Sequence, residues 1–152
     1  MNLKLLKYNV MVRKIKFRGK DIDTGEWRYG YLSFFYTAGR DKNGFILTDK
    51  AQIYSQEDGR CYDVLAETVG QFTGKTDKNK KEIYEGDIVR VYSKDGTFNI
   101  VVKWSNDSMG FMACYVDGNQ SPFSWFTNLL TYELEVIGNI HDNPELLKGD
   151  TK

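Results

Sequence analysis

Three scarcities narrow what this chain can be. Its 152 residues include 1 histidine, 2 cysteines and 2 prolines. His141 and the widely separated Cys61 and Cys114 are too few ligands for a structural zinc site. A Ser-His or Cys-His centre would have to use His141, and no serine lies in a Gly-x-Ser-x-Gly elbow. The two cysteines lack metal-type spacing and read as reduced, partly buried thiols. No stretch approaches the ~20 apolar residues of a membrane span. The opening MNLKLLKYNV has neither a long apolar core nor a small-residue cleavage site, so it does not read as a signal peptide. Net charge is also lacking: 21 Lys and Arg balance 21 Asp and Glu, leaving no general field to attract nucleic acid or an anionic membrane. These absences point to a cytoplasmic protein with no cofactor.

What the chain does have is material for strands and turns. Apolar residues make up 41%, with 10 Tyr and 9 Phe, enough for a packed core, and 14 glycines suit many short turns. Lys14-Ile15-Lys16-Phe17-Arg18 alternates, placing Ile15 and Phe17 on one face and three basic groups on the exposed other. After a turn at Asp21–Gly25, Trp27–Phe35 reads as an aromatic-rich strand, either covered on both sides or interrupted by a bulge at Gly30. Asn43-Gly44 is a hairpin signal. Short strands follow at Phe45–Thr48 and Gln52–Ser55, and Tyr62–Leu65 reads as a strand end. In the second half Phe98–Trp104, Phe111–Val116 and Thr131–Ile140 read as strands of a meander. Ser121–Leu130 is ambiguous, since Pro122 argues against a central strand. Asn143 with Pro144 can start a short helical turn.

The stretch that organises the rest is Glu67–Tyr92, ETVGQFTGKTDKNKKEIYEGDIVRVY. It reads as a strand, a solvated polar loop at Gly74–Lys81, and a strand from Asp87 to Tyr92 entered through Gly86. Phe72-Thr73-Gly74, Asp77-Lys78-Asn79 and Lys81 through Val89 resemble the YopX-like family of phage and prophage proteins. Lys14–Arg18 resembles that family's opening strand, and Glu135–Leu147 its closing strand and tail. The resemblance spans roughly Val12 to Leu147. It implies a mainly β protein, an N-terminal antiparallel β region followed by a small SH3-type β-barrel, with no activity or catalytic residues to carry over. The expected division is a flexible extension at 1–11, a β region at 12–81, the barrel at 82–147 and a tail at 148–152.

Little in the sequence assembles chemistry. Gly74-Lys75-Thr76 echoes a phosphate loop but has Val69 where the earlier glycine belongs. Glu82, Glu85 and Asp87 could hold a hard cation only if they converged. The leading expectation is therefore a non-catalytic phage accessory protein, acting through contacts with a protein partner or a second copy of itself. The alternative is a binder of single-stranded nucleic acid. It would use a basic loop of Lys75, Lys78, Lys80 and Lys81 with aromatic side chains for stacking, Trp104 and Tyr115 foremost, from a set that includes Tyr29, Tyr31, Phe34 and Trp125.

Overall fold

Runs of β-branched and aromatic residues between glycine and Asx corners become strands because branched side chains pack well on a pleated surface. The computed structural model describes residues 14–35, 39–44, 46–47, 49–124 and 132–147. The segments expected to be an extension and a tail, 1–11 and 148–152, lie outside these, as does Trp125. The strands are β1 (Phe17–Lys20), β2 (Trp27–Phe35), β3 (Gly39–Arg40), β4 (Ile46–Leu47), β5 (Lys50–Tyr54), β6 (Cys61–Leu65) and β7 (Gly70–Thr76). They continue as β8 (Glu82–Tyr84), β9 (Asp87–Ser93), β10 (Gly96–Ser105), β11 (Gly110–Tyr115), β12 (Gln120–Pro122) and β13 (Glu133–Asn139). The protein is mainly β, as expected, and all strand pairs are antiparallel.

Two main sheets carry the structure. One has the order β6-β5-β2-β1-β7-β8 and the other β12-β11-β10-β9-β13. The end strands β12 and β13 of the second sheet do not pair among the described residues, so this sheet is open. Pro122 lies in its edge strand β12, where a missing amide breaks no interior ladder. The C-terminal turn forms at Pro144–Leu147 as a 3-10 turn. A second 3-10 turn, Ala66–Thr68, follows β6. No helix among the described residues is long and apolar enough to cross a membrane.

Each sheet has its own apolar cluster. Ala51, Ile53 and Val64 form the smaller one, with Phe17, Leu32 and Val69 against it. The larger gathers Val89, Val91, Ile100, Val102, Ala113, Phe123 and Leu134. Ile83 of β8 also belongs to this larger cluster and is fully buried. Thus β8 is bonded to β7 in the first sheet while Ile83 fills the core of the second. The change of sheet comes just after it, at Glu85-Gly86. Gly86 has φ 84°, the left-handed corner anticipated for it. Of the two readings offered for this strand, a bulge at Gly30 is not what is found. A Cβ there would lie 2.0 Å from the Tyr54 carbonyl oxygen, and the register shift with β5 falls between Leu32 and Phe34.

Two surface expectations are corrected. Arg18 was placed on an exposed basic face, but it is 5% exposed while Ile15 is 48% exposed. The Trp27 and Tyr84 rings of the first sheet lie over Arg18, and Asp87 of the second supplies a countercharge; alternation reveals sidedness, not which side is covered. The expected solvated loop begins later, because Gly74–Thr76 stays in β7, and its turn is docked rather than free. Asp77 is buried, and its Oδ1 accepts the amides of Asn79 and Lys81 at 2.8 and 2.9 Å. Its Oδ2 accepts the Val136 amide of β13 at 3.0 Å, and the Lys78 amide donates to the Leu134 carbonyl at 2.9 Å. The turn thereby closes the free edge of β13, a place where unpaired backbone would otherwise invite aggregation. Replacing Asp77 by Ala removes an acceptor for three amides and is expected to cost about 2–3 kcal/mol. Urea unfolding would measure this, and a loss of ~0.5 kcal/mol or less would contradict the clamp.

Candidate functional site

The junction of the two sheets concentrates the polar chemistry. Arg18 projects from β1 and Asp87 opens β9, with Nη1 and Oδ1 2.7 Å apart. Their side chains are 6% and 1% exposed. The contact is an ion pair, and Arg18 Nε has no acceptor among the described residues. Arg18 Nη2 donates to the Glu85 carbonyl at 3.2 Å, while Asp87 Oδ2 accepts the Tyr84 amide at 2.8 Å. The guanidinium carbon lies 4.6 Å from the Trp27 ring centre and 5.1 Å from that of Tyr84. Burial pushes the Asp87 carboxyl above its ordinary value, against the opposing pull of the Arg18 charge and the Tyr84 amide.

A second network joins the C-terminal segment to β1 and β2. Asn139 Oδ1 accepts the amides of His141 and Asp142, both at 3.0 Å. Asp142 Oδ2 accepts from Trp27 Nε1 at 2.8 Å and Asn139 Nδ2 at 2.9 Å, and Oδ1 pairs with Lys20. Asn139, Lys20 and Trp27 together hold the Asp142 carboxyl well below the usual carboxylate range. Burial, then the charge of Arg18, lowers the His141 imidazole from its ordinary value. The His141 ring stands 6.0 Å from that of Trp27.

The residues singled out from the sequence fall into separate surroundings. Lys75 borders a recess with Phe111, Met112 and Phe123. Lys78 is held by Glu133 at 3.0 Å and Glu135 at 3.1 Å, which push its ammonium above the ordinary lysine range. Lys80 sits at φ 64° in the turn, and Lys81 borders a cleft with Arg18, Tyr29, Glu82 and Tyr84. Trp104 packs edge-on against Phe111, and Tyr115 lies against Phe98. The backbone of Phe34 is in β2, but its side chain lies outside the description.

Nor do the three neighbouring carboxylates converge. Glu82 pairs with Lys16 and accepts from the Tyr84 hydroxyl, Glu85 accepts the Trp104 amide, and Asp87 faces Arg18. Among the described residues no group of three His, Cys, Asp or Glu side chains could hold a metal ion.

The three stretches that meet at this junction, around Arg18, Tyr84–Asp87 and Asn139–Asp142, all fall within one family match. A model described as YopX protein matches residues 16–148. The chain belongs to the YopX family. No curated protein matches it. Among solved structures it is similar to protein EF1440 from Enterococcus faecalis, at 26% identity and a TM-score of 0.50. That match covers 90% of this chain and 100% of the other.

For this YopX-family chain, sequence reasoning missed the Arg18–Asp87 pair and the role of Trp27. Arg18 carried only the signal of a charged residue in an alternating strand. Asp87 carried a stronger one, since a carboxylate beside Ile88-Val89 is unusual unless it is paired. Removing one partner strands the other charge in the interior. Asp87→Ala is therefore expected to cost about 3–5 kcal/mol, and Arg18→Met combined with Asp87→Leu markedly less. Chemical denaturation of both variants would check this. A double variant as unstable as the single would show that the stranded charge is not the cause.

Proposed function

We propose that the protein is a non-catalytic accessory protein of a phage or prophage, acting in the host cytoplasm through contacts with a protein partner or a second copy of itself. The observation that carries this reading is a row of exposed tyrosines on the first sheet. Tyr31 of β2 is the cross-strand partner of Tyr54 in β5, and Tyr29 stands two residues along the same face. They are 45%, 40% and 47% exposed, respectively. Tyrosines fixed on strands offer broad contact area with little side-chain entropy to lose, which suits them to anchor a protein interface.

The finer architecture belongs to the same proposal. Residues 12–81 form the platform that presents the tyrosines, and residues 82–147 form an SH3-type barrel. A register shift between Val136 and Gly138 supports the second part, since a bulge bends a sheet toward closure. The phage or prophage setting follows from the family resemblance.

The test combines affinity capture from the host with light scattering of the purified chain. Wild type is expected to capture a protein or to self-associate. Tyr31→Ser with Tyr54→Ser should weaken that contact about tenfold or more while leaving the melting curve near wild type. Absence of both capture and self-association would overturn the proposal. Salt-sensitive binding of single-stranded oligonucleotides in their place would favour the nucleic-acid alternative.

A further inference from the structure

Away from the tyrosine row, the sheets leave an open cleft at their junction. It consists of two adjoining recesses of about 190 and 250 Å³ that share Val69, Glu85 and Trp104. The first is bordered also by Glu67 and His141, the second by Phe17 and Leu32. Ligand sites favour such junctions, where two structural units wall a concavity.

Trp104 is the fixed wall. Its indole packs edge-on against Phe111 at 5.2 Å, and its Nε1 donates to Asn106 Oδ1 at 3.0 Å. The residue is nonetheless 41% exposed. Glu85 is tied beside it, because Oε1 accepts the Trp104 amide at 3.2 Å. Glu67 stands on the 3-10 turn that precedes β7.

The charges of the cleft are unbalanced. Among the described residues neither Glu67 nor Glu85 takes part in an ion pair, whereas nearby Glu82, Asp87 and Asp142 each do. Lys103 also borders the first recess. It falls on the opposite face of β10 from Trp104, the face shared by Val101 and its partner Cys114, and its charge acts on the Cys114 thiol. Burial and the Arg18 charge disfavour the charged form of His141.

A part-exposed indole beside two carboxylates that take part in no ion pair among the described residues complements a planar cation. A guanidinium can stack on the ring while its edge donates to the carboxylates, a combination that an ammonium matches less well. We infer that this cleft receives an arginine side chain of a protein partner. The inference rests on the docking reading only in that the partner is a protein, and it uses a surface different from the tyrosine row.

The experiment is an NMR titration of the full chain with N-acetyl-arginine-methylamide, and with the glutamine analogue as the neutral control. The Trp104 indole N–H and the amides of Glu85, Gly86 and His141 are expected to shift and saturate with the arginine compound only. Glu85→Gln, which keeps an acceptor for the Trp104 amide, combined with Glu67→Gln should weaken binding about tenfold. Tyr31→Ser with Tyr54→Ser should leave it unchanged, which separates this site from the proposed docking face. Equal shifts with the neutral analogue, no saturable shift, or full affinity in the doubly substituted cleft would overturn the inference.

Discussion

The pairing of Arg18 with Asp87 is the constraint on which the arrangement of the two sheets depends. A guanidinium and a carboxylate, both almost wholly out of water, face each other from β1 of one sheet and β9 of the other. Such a pair adds little net stability, because desolvation offsets most of the attraction. It is strongly specific, however. Any movement of the sheets that separates the two charges leaves each of them buried alone. The Trp27 and Tyr84 rings roof the guanidinium, the Tyr84 amide donates to Asp87 and the Glu85 carbonyl accepts from Arg18, while Arg18 Nε is left without an acceptor among the described residues. Position, more than energy, is what the pair supplies.

Other features extend that lock. Ile83 crosses into the core of the second sheet while its backbone stays in the first. Asp77 and Lys78 close the outer edge of β13. Asp142 ties the residues after β13 back to Lys20 and Trp27 of the first sheet. The exposed tyrosines and the Trp104 cleft are therefore carried on a joined platform, with their spacing set by the strands beneath them. That is the property a docking protein requires, since preformed anchors lose less freedom on binding.

Much of this was legible in the residues. The aromatic run gave β2 its limits, glycine and Asx corners marked the hairpins, and Pro122 signalled an edge. Gly86 announced the corner where the chain changes sheet. The polar turn deceived because Asp77, Lys78 and Asn79 are as suitable for water as for capping a strand edge. Its acceptor contacts lie on β13, far along the chain, and no local pattern names such a partner. Arg18 deceived for the same reason: period two assigns a residue to a face, but the rings over that face and the countercharge opposite it come from residues distant in the chain. Strand pairing alone brought Tyr54 beside Tyr31, a neighbour that no local pattern in the sequence names.

Native-state hydrogen exchange followed along a denaturant series tests the coupling of the sheets most directly. The account predicts that the bonded amides of β1 and β9 exchange through one opening, with the same free energy and the same denaturant dependence. Amides of β1 exchanging through a smaller opening while those of β9 stay protected would contradict it, by showing that the first sheet comes loose without disturbing the second.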